Sequence, residues 1–118
     1  MALDLIRPGS ESRPESLLRL LLGSAKFPEP ELNAVIRDEA GRSIGRFDLV
    51  YRDFSIAVEY DGQQHRTSGR QYDIDERRIE AAMLAGWLVV RIRAQGLFGG
   101  PASTIERVAS VFRARNAT

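Results

Sequence analysis

The stretch from Gly45 to His65, which reads GRFDLVYRDFSIAVEYDGQQH, decides the fold of this chain. Residues 46–51 and 54–60 within it are rich in β-branched and aromatic side chains, and each run has the length of a strand. Only two residues separate the runs, so the pattern predicts a β-hairpin. Asp48 and Glu59 lie inside the two predicted strands, where a half-buried strand does not favour an acid. This misfit indicates that the hairpin carries function.

The register of the predicted hairpin decides whether these two acids meet. Side chains alternate across a strand, and a connection of two residues (Arg52 and Asp53) or of four (Tyr51 to Phe54) places Asp48 opposite Ala57. Arg46 then lies opposite Glu59, and Asp48 shares a face with Glu59. Diagonal neighbours are about 7–8 Å apart at the backbone, a gap that two carboxylates can close around one cation. In the structural alternative, which spacing alone favours, Glu59 pairs with Arg46 and Asp61 opens an ordinary turn.

The remaining periodicities predict an α+β fold in which a mixed sheet is flanked by helices. Short turns join the first three strands as antiparallel neighbours, and a helix carries the chain to the fourth strand. In chain order we expect a helix over 13–22, strands over 32–37, 43–51 and 54–60, a helix over 70–85, a strand over 87–93, and a final amphipathic helix. The order of elements is α-β-β-β-α-β-α.

Composition limits the kind of protein this chain can be. Its 118 residues predict one domain over 12–118, with a flexible lead-in over 1–11. The absence of cysteine excludes a disulfide framework and a thiolate zinc site. No run approaches the ~20 apolar residues that a bilayer requires, so we expect a cytoplasmic protein without a membrane partner. The net charge of +1 does not by itself indicate a nucleic-acid binder.

An ordered set of motifs resembles the Vsr-like domain family, a branch of the PD-(D/E)XK nuclease superfamily. The set consists of Asp48, Glu59-Tyr60-Asp61-Gly62, His65, Asp75 with Arg78 on the downstream helix, and Gly86-Trp87 opening the last strand. The resemblance spans residues 12 to 95. It implies a restriction-endonuclease-like core and the activity of a metal-dependent DNA endonuclease, and it leaves open whether this chain cleaves DNA.

The expected centre is a Mg²⁺ site, with Mn²⁺ as the other candidate ion, because hard cations prefer oxygen ligands. Asp48 and Glu59 are the expected ligands, and the backbone carbonyl of Tyr60 offers a third oxygen. Asp61 either completes the cluster or orients a bound water. Glu15 has two interpretations: it closes a capping box that Ser12 begins, or it presents its acid to the metal, as the resemblance implies.

The superfamily commonly places a lysine two residues after the second acid, but Asp61 stands at that position and the only lysine is Lys26. His65 is the expected substitute as a proton-transfer group, and Gln64 is expected to position water. A lone loop histidine is more often exposed and without a role, so that alternative stays open. The expected phosphate contacts to DNA are Arg66, Arg70, Arg91 and Arg93.

Two further interpretations compete with cleavage. One is a non-cleaving nuclease-fold module that binds DNA or protein in a defence or toxin-antitoxin-like system. The other is a structural domain in which the acids bind arginines. The oligomeric state is not encoded in any motif, although the end of the fourth strand or the last helix offers a surface for a homodimer or for a partner domain or protein.

Overall fold

A computed structural model describes residues 13–62 and 69–116 of the chain. The elements are α1 (Pro14–Ser24), β1 (Glu31–Arg37), β2 (Ser43–Tyr51), β3 (Ile56–Asp61), α2 (Gly69–Leu84), β4 (Leu88–Arg93) and α3 (Pro101–Asn116). A 3₁₀ turn (Arg52–Phe54) joins β2 to β3, and a π-helical turn (Gln95–Gly99) precedes α3. The predicted order α-β-β-β-α-β-α is confirmed.

The four strands form one mixed sheet in the order β1-β2-β3-β4. The first three strands are antiparallel neighbours, whereas β4 runs parallel to β3 because α2 carries the chain back across the sheet. The parallel register places Glu59 beside Arg91 and Asp61 beside Arg93. Since side chains alternate, all four of these charged residues lie on the same face of the sheet.

Two hydrophobic clusters cover the two faces of the sheet and explain where the helices lie. On one face, Leu18 of α1 and Phe112 of α3 pack against the strand residues Leu49, Val58 and Ile92. On the other face, Ala82 of α2 packs with Phe47, Val50 and Trp87. The mixed sheet flanked by helices is therefore as predicted. Within the described ranges, no helix is both long and apolar enough to cross a membrane.

The predicted hairpin register is wrong by two residues. Val50, rather than Asp48, lies opposite Ala57, and the connection between the paired strands runs from Arg52 to Ser55. The reason is Phe54, whose ring leaves the strand path and packs edge-on against Phe112, with 4.9 Å between the ring centroids. Ser55 then takes a left-handed conformation with φ 53°, which turns the chain into β3.

The predicted capping box is also wrong. The helix α1 begins at Pro14, and its N-cap is Arg13, which makes no side-chain capping bond. Proline at the first helical position presets the backbone angle and has no N–H to satisfy, so it starts the helix without a cap. Ser12 lies outside the described residues. Arg13, rather than the expected serine, therefore occupies the N-cap position.

Candidate functional site

Asp48 lies where the strands β2 and β3 stop pairing. The last paired residues are Leu49 and Val58. Beyond them, Asp48 Oδ2 accepts a hydrogen bond of 2.8 Å from the backbone N–H of Tyr60. The carboxylate of Asp48 thus takes the place of a β2 carbonyl as the acceptor for an N–H group of β3. It is held between the two strands.

The alternation of faces breaks at the same place. Phe47 packs on the α2 side of the sheet, whereas Leu49, two residues on, packs on the α1 side. The neighbouring strand carries a matching irregularity, because Asn33 of β1 has a φ of 48°. The simple expectation that Asp48 stands beside Glu59 on one face is therefore corrected. Asp48 points at the backbone of β3 and opens towards α1, whereas Glu59 points towards α2.

A cavity of about 220 Å³ lies over Asp48 on the α1 side. The residues that line it are Arg13, Glu15, Ser16, Arg19, Leu32, Asn33, Asp48 and Leu49. Burial raises the pKa of Asp48, and the negative charges of Glu59 and Glu15 raise it further. The Tyr60 N–H and the charge of Arg78 act in the opposite direction without cancelling this rise. The fold thus holds Asp48 in a place that disfavours its negative charge.

Glu15 contributes a second carboxylate to the same cavity. Its Oε1 is buried and accepts no hydrogen bond within the described part of the chain, and Arg13 Nε lies 3.7 Å away. A buried acceptor without a hydrogen bond is costly, and a hard cation is the kind of ligand that would satisfy it. Mg²⁺ is commonly bound by one or two carboxylates and keeps several waters. Glu15 and Asp48 therefore fit such an ion in number and in chemistry.

Glu59 has a different environment. Arg78 holds it with two parallel bonds, Nη1 to Oε1 at 3.0 Å and Nη2 to Oε2 at 2.9 Å. Arg91 Nε adds a contact of 3.2 Å to Oε2. The expected alternative partner, Arg46, instead donates to the carbonyl of Asn33 at 3.0 Å. Both oxygens of Glu59 are thus engaged by guanidinium groups.

Arg78 is fixed by more than this ion pair. Its guanidinium carbon lies 4.4 Å from the ring centre of Phe47, and Nη1 also donates to the carbonyl of Arg46 at 3.0 Å. The side chain is only 18% exposed. We call the unit of Glu59, Arg78 and Arg91 the arginine clamp. It joins α2 to the centre of the sheet.

Asp61 belongs to the same charge network. Its side chain is 5% exposed and lies 3.3 Å from Arg91 Nη2 and 3.7 Å from Arg93 Nε. Glu76 lies 3.6 Å from the third nitrogen of Arg91, so Arg91 touches three carboxylates. The half-buried Tyr60 between the two acids of β3 has its backbone N–H committed to Asp48.

The other expected site residues are not gathered in this centre. Gln64, His65 and Arg66 lie outside the described residues, so their roles stay predictions. Arg70 lies exposed in the first turn of α2. Among residues 13–62 and 69–116, no three acidic or histidine side chains form a group that could hold a metal by themselves. The described residues therefore offer two carboxylates to a metal ion, and water would supply its remaining ligands.

Arg78 belongs to the set of motifs that resembles Vsr-like domains, but the sequence did not identify its partner. One signal for it was available in Gly45, which has a φ of 149° and lies directly under the Arg78 stem. A Cβ atom built there would lie 2.6 Å from Arg78 Cδ and 2.9 Å from Cγ. A glycine inside a strand often marks such a close approach.

We expect Gly45→Ala to destabilise the protein by about 2 kcal/mol, because it combines backbone strain with displacement of the Arg78 stem. Chemical denaturation measures the change. Gly23→Ala in α1 is the matched control, since a Cβ at Gly23 meets nothing within 4 Å and alanine favours a helix. Equal stabilities of the two variants would contradict the close contact at Gly45.

Comparison of the chain with protein-family models, with curated protein sequences and with solved structures finds no match. The resemblance to Vsr-like domains therefore rests on the sequence motifs alone.

Proposed function

We propose that this protein is a metal-dependent DNA endonuclease with a restriction-endonuclease-like core, and that Asp48 and Glu15 hold its divalent cation. One observation carries the proposal: two carboxylates from different elements share one cavity, where Asp48 is partly buried and Glu15 Oε1 accepts no hydrogen bond. Arg13 and Arg19 also line this cavity, yet among the described residues Glu15 Oε1 has only a contact of 3.7 Å with Arg13 Nε. A bound cation would satisfy this buried oxygen.

The chemistry required is hydrolysis of a phosphodiester. A bound divalent ion supplies positive charge to the scissile phosphate and makes a bound water more acidic. The Tyr60 N–H orients Asp48 through Oδ2. In the proposed centre, Oδ1 is the oxygen that binds the cation. Glu59 adds negative charge near Asp48, while its own oxygens are bound by Arg78 and Arg91.

The missing lysine has a structural counterpart in this proposal. Asp61 occupies the position two residues after the second acid, but Arg91 and Arg93 both contact it. Arg91 is shared with Glu59 and Glu76, so the exposed guanidinium group of Arg93 is the positive charge that we propose in the place of the lysine. His65 is proposed as the proton-transfer group and Gln64 as the residue that positions water.

A second candidate function is a nuclease-fold module that binds DNA or protein without cleaving. The observation that favours it is the arginine clamp, since Glu59 is engaged at both oxygens. In that case the clamp is a structural ion pair in the place of a metal ligand.

Nicking of a supercoiled plasmid separates the two candidates. The endonuclease converts supercoiled DNA to nicked circles in Mg²⁺ or Mn²⁺ and does not do so in EDTA. Asp48→Ala and Glu15→Ala are then compared with the wild type, because removal of a cation ligand removes charge stabilisation at the phosphate. A protein that binds the plasmid but never nicks it supports the non-cleaving module. Activity that survives Asp48→Ala overturns the proposed centre.

A further inference from the structure

A second cavity lies at the carboxyl ends of the parallel strands β3 and β4, between these strand ends, the π-helical turn and α3. Its volume is about 560 Å³. It is lined by Asp61, Arg91, Arg93, Gln95, Gly96, Gly99, Gly100, Ser103 and Arg107, and we call it the arginine groove. Ligands of open sheets with parallel strands commonly bind in this position.

The charges in the arginine groove are unbalanced. Three guanidinium groups and one carboxylate, Asp61, line the groove. Arg91 is balanced by Glu59, Asp61 and Glu76, so the unbalanced charge is that of Arg93 and Arg107. Arg107 donates at 2.9 Å to the backbone carbonyl of Arg91, an acceptor that carries no net charge. Within residues 13–62 and 69–116, no carboxylate forms an ion pair with Arg107. The groove therefore holds an excess of positive charge that an anion would neutralise.

The two arginines that carry this excess differ in how they are held. Arg93 projects from the end of β4 with 64% of its side chain exposed, and its Nε lies 3.7 Å from Asp61. Arg107 projects from α3 and is tied to β4 by its bond to the Arg91 carbonyl. Two guanidinium groups from different elements thus face one cavity.

The floor of the groove is formed largely by glycines and is joined to α3 by a hydrogen bond. Thr104 Oγ1 donates to the carbonyl of Gly96 at 2.7 Å, which joins the π-helical turn to α3. A Cβ atom at Gly96 would lie 2.9 Å from that hydroxyl oxygen, so a larger residue would break the contact. Gly99 and Gly100 add no side chains to the lining. The space therefore stays open to a ligand as broad as a chain of phosphates.

We propose that the arginine groove binds the phosphodiester backbone of DNA, independently of any metal ion. Arginine matches the geometry of phosphate oxygens, and contacts to the backbone position DNA without reading its sequence. This inference rests on the proposed function, because it locates the DNA strand of that enzyme at the ends of β3 and β4. Asp61 is then a positioning residue, which holds Arg91 and Arg93 at the groove.

Fluorescence anisotropy of a labelled DNA duplex, titrated with the full chain in EDTA, tests the groove. We expect Arg93→Gln to weaken binding by about 5- to 10-fold at 0.1 M salt, and to lower the slope of log K against log salt by about 0.9. Arg107→Gln should act similarly, and Arg107→Lys should keep most of the affinity. Thermal melting establishes that each variant is folded, which the exposure of Arg93 leads us to expect.

Arg113→Gln is the matched control, because it removes the same charge from α3 at a residue that faces Glu106 rather than the groove. It should change the affinity less than 2-fold. Equal losses in Arg93→Gln and Arg113→Gln would overturn the groove. Competition with inorganic phosphate distinguishes a site for free phosphate: displacement of DNA at low millimolar phosphate contradicts a site for an extended backbone.

Failure of the groove and failure of the nuclease are separable. If Arg93-dependent binding occurs in EDTA but the plasmid is never nicked, the groove stands and the endonuclease falls. If the plasmid is nicked while Arg93→Gln and Arg107→Gln bind as the wild type does, the endonuclease stands and the groove falls.

Discussion

We expect Asp48→Asn to lower the rate of the proposed metal-dependent nicking by at least about 100-fold and to leave the protein as stable as the wild type or more stable. The loss would follow because asparagine lacks the negative charge that, in the proposed centre, holds the cation. Stability is kept because the amide oxygen can still accept the bond from the Tyr60 N–H. The measurements are initial nicking rates in Mg²⁺ and thermal melting of both proteins in EDTA.

The effect on stability should depend on pH. Burial and two neighbouring acids raise the pKa of Asp48 above its ordinary 3.8, so the folded protein holds the proton more tightly than the unfolded chain. Ionised Asp48 therefore destabilises the fold above its folded pKa, and this cost disappears as the pH falls towards 3.8. The stability difference between Asp48→Asn and the wild type should accordingly shrink when the pH is lowered from 7 into that range.

Asp38 provides a control of opposite sign. A backbone hydrogen bond from Arg42 is the main cause that lowers its pKa, so ionised Asp38 favours the folded state. Asp38→Asn should destabilise at neutral pH, and its effect should fade as the pH falls through the folded pKa. An Asp48→Asn variant that nicks at the wild-type rate, or that shows the pH dependence of Asp38→Asn, would contradict the described environment of Asp48.

Arg78→Ala is expected to destabilise the protein by about 3 kcal/mol, because it leaves the buried carboxylate of Glu59 without its bidentate partner. The side chains of Arg78 and Glu59 are 18% and 8% exposed. The variant also loses the contact with the Phe47 ring and the bond to the Arg46 carbonyl. Denaturant unfolding measures the change in free energy.

Arg77→Ala is the matched control on the neighbouring position, since Arg77 is exposed and should contribute less than about 0.5 kcal/mol. In a double-mutant cycle, Arg78→Ala and Glu59→Gln should be non-additive, because they remove the same interaction. A loss equal to that of Arg77→Ala, or strict additivity in the cycle, would mean that the arginine clamp does not join α2 to the sheet.

Local patterns were sufficient to predict the order of elements and the faces of β4. Leu88, Val90 and Ile92 alternate with Val89, Arg91 and Arg93 in the sequence, and the structure places the two sets on opposite faces, as this alternation implies. Period-2 alternation is a property of neighbouring residues, so it survives without knowledge of the rest of the fold.

The hairpin register and the partner of Glu59 could not be predicted in the same way. The register depends on Phe54 packing against Phe112, a residue 58 positions away in the chain. The choice of Arg78 over Arg46 depends on where α2 lies on the sheet. Both are long-range packing effects, which override local preference.

The candidate site shows the same division. The sequence identified Asp48 and Glu15 as acids that a metal centre could use, but their shared cavity depends on how α1 docks beside the split between β2 and β3. Arg93 was an expected phosphate contact. Arg107 was not, because nothing in the sequence brings the start of α3 to the end of β4.

Binding of Mn²⁺, followed by the paramagnetic resonance signal of the free ion, tests the central claim most directly. The wild type and the exposed control Asp53→Asn should bind one ion per chain, whereas Asp48→Asn should bind at least 10-fold more weakly. Glu15→Gln should also weaken binding. If Asp48→Asn binds Mn²⁺ as tightly as the wild type does, Asp48 does not hold a cation, and the proposed hydrolytic centre is wrong.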